Sequence, residues 1–275
     1  MNSVCIVNTA FANLFRDDEP AVNAAGNAEF TDLLKTSVDG GTSVVDLGAV
    51  ARTCRSEERR GQLRTLVSEA RTRYPGIVFQ VAGNSLFELK LLLKHFAWLD
   101  ADIVSVPVGV FCEEGAVALL RAQRRETERL RKQLALDVDD LSLVFRAVTL
   151  QHDGLFDSRL RMNFCFGQKC GVPSDRDAFL FFAETLRRLA PEATWSGLGS
   201  GSTELKVAQW SIEMGGHCKA TVAKEQGVLS QNGSRGFATL SKVTDLCKEY
   251  GRRPASFEEA RNVLSLEAAT LTSCV

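Results

Sequence analysis

The sequence predicts an α/β protein, a (β/α)8 TIM barrel with a C-terminal helical extension. Short runs of β-forming residues recur along the 275-residue chain, and amphipathic helical patterns fill most of the intervals between them. Parallel strands need helical crossovers, and eight strand–helix repeats are what a closed barrel requires. A doubly wound open sheet is the alternative, but NTAFANLFRDD, after the first strand, lacks the usual glycine-rich phosphate loop.

Eight runs are predicted to form the barrel strands. They are VCIVN (4–8), SVVDL (43–47), IVFQVAG (77–83), DIVSVPV (102–108), LSLVFRAV (141–148), MNFCFG (162–167), ATWSGLG (193–199) and HCKATV (217–222). The interval between 148 and 162 is too short for a regular helix, so one crossover is predicted to be abbreviated.

Helical patterns occupy the remaining segments. They cover 27–38, 57–74, 85–97, 114–135, 175–190, 203–214, 236–250 and 256–264. Ser174 with Asp177, and Ser256 with Glu259, have the spacing of a capping box at a helix start. Since no low-complexity linker divides the chain, we predict one barrel domain over 1–275, with 251–275 as the extension.

Composition argues against several classes of protein. The chain has 33 basic and 34 acidic residues, a net charge of −1, which favours neither a nucleic-acid nor a membrane partner. Its eight cysteines follow no metal or disulfide spacing, and the N-terminal MNSVCIVNTAF does not resemble a signal peptide. No apolar run approaches the roughly 18 residues of a membrane span. We therefore expect a cytoplasmic protein.

A barrel carries its active site where the strands end at their carboxyl termini. This rule selects Asp46, Asn84 and Ser105 on the second, third and fourth strands, and Arg146 on the predicted fifth. Asp46 lies within an apolar strand, and buried acids are rare unless they are paired. Asn84 and Ser105 are predicted to bind substrate.

The last strand supplies the candidate cations. Lys219 and Thr221 share one face of it, whereas Lys224 follows in the loop. A lysine at a buried strand end can form a Schiff base with a carbonyl compound. The alternative is that Lys219 or Lys224 only pairs with Asp46 or Glu225. We predict catalytic roles for Lys219, Lys224 and Asp46, and substrate contacts for Thr221, His217 and Glu225.

A phosphate or coenzyme A site is predicted in GLGSGS (197–202), just before the seventh crossover helix. Glycines permit close backbone approach, and the helix start offers unpaired N–H groups. The candidate residues are Gly199, Ser200, Gly201 and Ser202. The alternative is a βα loop whose glycines serve turn geometry alone.

The run MNFCFGQKCGVPSDRDAFLFFAETLRRLAPEATWSGLGSG with AQWSIEMGGHCKA, within 162–220, resembles the β-keto acid cleavage enzyme family. DGGTSVVDLGA (39–49) and GRRPASFEEARNVL (251–264) are also similar to that family. The resemblance spans nearly the whole chain and implies a (β/α)8 barrel that is usually a homo-oligomer. It implies condensation of a β-keto acid with acetyl-CoA and carbon–carbon cleavage to acetoacetate and a new CoA thioester.

The same resemblance implies zinc, but the corresponding ligand positions differ. The family's His-x-His pair falls on Asp46 and Gly48, and its ligand glutamate on Ala223. Its catalytic aspartate falls on Lys224, and the arginine of its eighth strand on Lys219. We therefore predict no cofactor and no metal.

The hypothesis from sequence is metal-free chemistry on a β-keto acid or related carbonyl compound, with a CoA thioester as candidate co-substrate. Lys219 would bind the substrate carboxylate or form an iminium, with Asp46 as proton carrier. One alternative is an inactive barrel that binds a ligand or regulates a partner. Another retains a metal through Asp46, His217 and Glu225; the other histidines, His95 and His152, lie far apart in the sequence.

Overall fold

A computed structural model describes residues 4–12, 24–48, 56–83, 99–113, 115–118, 121, 133–155, 159–167, 171–223 and 235–266. The strands are β1 (Val4–Cys5), β2 (Val7–Ala12), β3 (Val44–Asp46), β4 (Val78–Ala82), β5 (Ile103–Pro107), β6 (Gln133–Val138), β7 (Arg161–Phe166), β8 (Thr194–Gly199), β9 (His217–Ala223) and β10 (Arg253–Pro254). The α-helices are α1 (Ala24–Asp39), α2 (Glu57–Arg73), α3 (Leu141–His152), α4 (Arg176–Leu189), α5 (Glu204–Glu213), α6 (Arg235–Glu249) and α7 (Phe257–Val263). Short 3-10 turns cover Val108–Cys112 and Gly201–Thr203.

The strands β2 to β9 form a closed eight-stranded parallel barrel in sequence order, with helices between strands. Closure is made by β9 pairing with β2, where Lys219 lies opposite Asn8. This confirms the predicted (β/α)8 architecture. Because all strands are parallel, their carboxyl ends share one rim, and residues on alternate positions of each strand face the barrel interior.

The fifth predicted strand is wrong. LSLVFRAV lies in helix α3, and the strand is QLALDV in β6, of which only the first three residues overlap the predicted helix 114–135. Asp140 caps α3 by accepting the Ser142 N–H (2.8 Å), and Val144, Ala147 and Val148 are buried at helical spacing. The crossover is therefore a regular helix. Arg146 lies within it and donates to the Phe111 carbonyl (3.1 Å).

The N-terminal end of the barrel is closed by the segment after β10. Leu264 and Leu266 pack with an apolar ring contributed by the strands. The ring is formed by Ile6, Val44, Val78, Ile103 and Ala135. Burying these side chains stabilises the fold by about 25 cal/mol per Å² of apolar surface. The N-terminal end of the barrel is therefore filled by apolar side chains.

Of the two capping boxes predicted from the sequence, one is present in the structure and the other is not. Ser256 and Glu259 exchange hydrogen bonds at the start of α7 (Glu259 N to Ser256 Oγ, 3.2 Å), as predicted. At α4 the cap is Asp175, which accepts the Ala178 N–H (3.0 Å), so the prediction for Ser174 is wrong. Within the described residues, none of the helices has the length and apolar character needed to cross a bilayer.

Candidate active site

A polar layer crosses the interior of the barrel. Its members come from seven strands and are linked by hydrogen bonds in two groups. One group contains Asn8, Asp46, Gln80 and Lys219, and the other contains Ser105, Asp137 and Asn163. Apolar side chains would fill these positions in a barrel that served only as a scaffold. The polar layer is therefore the candidate active site.

Asp46 is the hub of the first group. Lys219 Nζ donates to its Oδ2 in a close ion pair, and Gln80 Nε2 donates to the same oxygen (2.9 Å). The Gly48 N–H donates to Oδ1 (2.7 Å). The sequence left open whether Lys219 pairs with Asp46, and in the structure the two are paired. An ammonium has three N–H donors, so donors remain for a substrate.

Asp137 organises the second group, although it was not among the residues predicted from the sequence. Its Oδ1 accepts the Ser105 hydroxyl (2.5 Å) and the Asn163 Nδ2 (2.7 Å). Asp137 was not selected because it falls between the predicted helix 114–135 and the predicted strand 141–148, and so was not placed at a strand end. The signal that could have found it is the alternation in QLALDV, followed by Asp139 and Asp140 as a helix start.

The charges of the two groups are coupled. Burial raises the pKa of the Asp137 carboxyl, against the lowering effect of the Lys219 ammonium and of the bonds from Ser105 and Asn163. Burial acts to lower the pKa of Lys219, but the carboxylates of Asp46 and Asp137 outweigh it and hold that pKa above its usual value. Lys219 is therefore a cation. A protonated Asp137 would leave this cluster with no net charge.

Cys165 follows Asn163 on the inward side of β7. Burial and the neighbouring Asp137 raise the pKa of its thiol well above the usual value. A thiol held protonated is a poor nucleophile. Cys165 is therefore a buried neutral thiol beside the polar layer, in keeping with its apolar sequence context.

The GLGSGS loop lies at the carboxyl-end rim, between β8 and α5. A Cβ at Gly199 would lie 2.6 Å from the Glu204 Cα, so glycine is required by the close approach of the helix. Ser200, Gly201 and Ser202 are exposed. The Glu204 carboxylate accepts the Thr221 N–H, and burial raises its pKa. A phosphate at this loop would share the helix start with that carboxyl group.

The remaining predicted site residues lie in three places. Ser105 is buried in the polar layer, and Thr221 is exposed at the rim. His217 is buried at the opposite end of β9, where its Nδ1 accepts the Ile6 N–H (3.1 Å). Asn84, Lys224 and Glu225 lie outside the described residues.

The described residues do not fit the zinc ion that the resemblance implies. Both Asp46 oxygens already accept hydrogen bonds, one of them from a fixed ammonium. Gly48 has no ligand atom, and a Cβ there would lie 2.7 Å from the Ala82 Cβ and 2.9 Å from Asp46 Oδ1. Ala223 offers no ligand either. Across the described ranges, no group of three or more His, Cys, Asp or Glu side chains could hold a metal ion.

Comparisons with known proteins agree with this geometry in fold and family. The sequence model of the family described as beta-keto acid cleavage enzyme matches residues 23–266. A 3-oxoadipate:acetyl-CoA acetyltransferase from Cupriavidus necator is 30% identical over 97% of this chain and 96% of its own length. A 3-keto-5-aminohexanoate cleavage enzyme from Fusobacterium nucleatum is 29% identical over 93% of this chain and 95% of its own.

Solved structures support the fold. A crystal structure of dihydrodipicolinate synthase aligns with a TM-score of 0.55 at 13% identity, covering 95% of this chain and 80% of that one. At so low an identity the likeness extends to the barrel architecture alone.

Proposed function

The chain belongs to the beta-keto acid cleavage enzyme family, and on that premise we propose that it performs the family's carbon–carbon chemistry without a metal ion. The substrate would be a β-keto acid or related carbonyl compound. Acetyl-CoA is the proposed acyl partner, since a relative is named for acetyl transfer from it. The observation that carries the proposal is the Lys219–Asp46 pair in the polar layer.

Lys219 would supply the positive charge that the reaction needs. In the exchange, the acyl group of the β-keto acid passes to coenzyme A, and its carboxymethyl unit takes up the acetyl group to form acetoacetate. Negative charge develops on the keto oxygen as the carbon–carbon bonds form and break. A preorganised cation in a water-poor pocket stabilises such charge strongly. The N–H donors of Lys219 not used by Asp46 could reach that oxygen.

Two carboxyl groups could move protons beside the cation. Asp46 is hydrogen-bonded to the ammonium, and Asp137 has a raised pKa, which suits a general acid. Ser105 and Asn163 both donate to Asp137 Oδ1, and Oδ2 accepts no bond from the described residues. Oδ2 is thus the oxygen available to carry a proton. A neutral Asp137 would also let an anionic substrate approach Lys219.

The ammonium role differs from an iminium role in one measurable way. Forming an imine requires a neutral amine, whereas the neighbouring carboxylates raise the pKa of Lys219. Borohydride added with substrate should therefore leave the intact mass of the protein unchanged. A reduced adduct on Lys219 would assign it the iminium role instead. An adduct on Lys224 would assign that role to the loop lysine.

Activity is expected to survive metal removal. Protein treated with a strong chelator and desalted should convert a 3-oxo acid and acetyl-CoA at an unchanged kcat/KM, because the charge at the keto oxygen comes from Lys219. The zinc-dependent relatives provide the matched control, since the same treatment should inactivate them. Loss of activity that zinc alone restores would contradict the proposal.

The non-catalytic alternative makes the opposite prediction. A folded wild-type protein that binds β-keto acids but turns over none of them would support a ligand-binding barrel. The polar layer favours a catalytic role, because apolar side chains usually dominate the interior layers of such a barrel. A cytoplasmic location and a homo-oligomeric state remain part of the proposal, to be checked by fractionation and by light scattering.

A further inference from the structure

A small cavity lies inside the barrel on the N-terminal side of the polar layer. Its volume is about 30 Å³, room for about two water molecules. The lining includes Asn8, Arg161, Thr194, Ser196, His217 and Leu264. No acidic side chain is among the described residues that line it.

Arg161 is the unusual member of this lining. It is 6% exposed, and its Nε and Nη1 have no hydrogen-bond partner among the described residues. Two other arginines are buried within the described residues, and both have partners. Arg261 pairs with Asp102 (3.2 Å), and Arg252 Nη1 donates to the carbonyls of Ile212 (3.0 Å) and Gly216 (2.5 Å). A buried cation without a counter-charge is costly, so Arg161 calls for an anionic partner.

His217 adds a neutral donor to the same cavity. Burial, with the charges of Arg252 and Arg161, lowers the pKa of His217 to about 3. The ring is therefore uncharged at neutral pH. Because Nδ1 accepts the Ile6 N–H, the ring proton is assigned to Nε2, which becomes a hydrogen-bond donor. Burial alone lowers the pKa of Arg161, to about 10, with no contribution from a carboxylate.

We propose that this cavity binds one small monovalent anion of the size of chloride, held by the Arg161 guanidinium and the His217 Nε2–H. The volume limits the ligand to a monatomic or similarly small anion. The guanidinium supplies the charge, and its unpaired N–H groups supply donors. The cavity adjoins the polar layer through Asn8, Gln80 and Asn163. Arg161 and His217 are the first residues of their strands, so the anion lies on the side of the layer away from the rim and stabilises the barrel without contacting the substrate of the proposed carbon–carbon chemistry.

The test compares thermal unfolding in chloride or bromide with unfolding in gluconate at equal ionic strength. Gluconate is too large for the cavity. Wild-type Tm should rise by about 3 °C when the halide is at ten times its Kd. Arg161→Met should abolish that rise, and should be more stable than the wild type in gluconate. Arg159→Met is the matched control, because Arg159 is exposed and pairs with Glu192 (3.4 Å).

Crystals grown in bromide provide a second measurement that needs no variant. An anomalous peak beside the Arg161 guanidinium would support the proposal. Water alone in the cavity at saturating bromide would overturn it. An equal rise in Tm with halide in the wild type and in Arg161→Met would overturn it as well. Should Arg161→Met fail to fold, the bromide peak decides the question.

Discussion

Replacing Lys219 with methionine is expected to lower kcat by about 10²- to 10³-fold, the usual effect of removing a preorganised group that stabilises developing charge. Methionine keeps the length of the side chain but removes the cation that we place at the keto oxygen. KM should change less than kcat, because the interaction strengthens in the transition state. Steady-state rates with a 3-oxo acid and acetyl-CoA measure the effect.

The same variant should also be less stable, for a separate reason. It leaves Asp46 buried with its charge unpaired, which costs about 3–5 kcal/mol when one partner of a buried pair is removed. Adding Asp46→Asn should recover most of that stability, since the amide needs no counter-charge. The double variant should remain inactive. Recovery of activity along with stability would mean that Lys219 is only a structural partner of Asp46.

An exposed lysine serves as the control. Lys248 pairs with Asp245 on the surface (3.2 Å), and Lys248→Met should change neither kcat nor stability measurably. A large effect there would indicate that loss of any lysine harms the protein. Wild-type rates in Lys219→Met would remove the basis of the proposed function.

Replacing Asp137 with asparagine is expected to lower kcat by about 10²- to 10⁴-fold, the usual contribution of a general acid or base. The amide keeps the shape of the side chain, and its oxygen can still accept from Ser105 and Asn163. The amide cannot act as a general acid, because it has no acidic proton to donate. Asp177→Asn, on the exposed start of α4, is the control and should leave kcat unchanged.

The pH dependence of stability gives Asp137 an independent signature. Its folded pKa is raised by burial, so between the ordinary carboxyl pKa of 3.8 and the raised value the folded chain keeps a proton that the unfolded chain loses. Wild-type stability contributed by this group is therefore present below 3.8 and falls as the pH rises through that window. Asp137→Asn lacks this loss and should gain stability relative to the wild type at neutral pH. If the variant were equally stable or less stable than the wild type at neutral pH, the pKa of Asp137 would lie at or below its usual value.

The rate of the wild type should fall as the pH rises through the Asp137 pKa, if the protonated form is the active one. The residual activity of Asp137→Asn should lack that limb. An unchanged profile in the variant would assign the limb to another group. Full activity in Asp137→Asn would exclude it from the chemistry.

Much of the architecture could be predicted from local patterns, and the error at β6 has a physical cause. LSLVFRAV contains the β-branched and aromatic residues that favour strands, yet its buried side chains recur at helical spacing. The segment folds as a helix because Asp140 caps its first turn and because its apolar face is buried against the barrel. QLALDV has six residues, too few to distinguish the alternation of a strand from a continuation of the preceding helical pattern.

The candidate active site could be predicted only in part from the sequence, because it too depends on contacts between distant segments. The rule that strand ends carry the site selected Asp46, Ser105 and Lys219, and the structure places all three in the polar layer, because in a parallel barrel chain order fixes spatial order. Which donors satisfy Asp46, and that Gly48 has no space for a larger side chain, depend on distances between strands. Such distances leave no trace in a single sequence.

The sequence by itself determined the alternation of strands and helices, the family, and the absence of histidines at the positions that would bind zinc. Tertiary structure alone decided that Asp137 faces Lys219 across the barrel, and that His217 lies in a buried cavity with Arg161. Periodicity is a property of neighbouring residues, so one sequence records it. Charge pairing and cavities are formed by side chains far apart along the chain, and closure of the barrel alone brings them together.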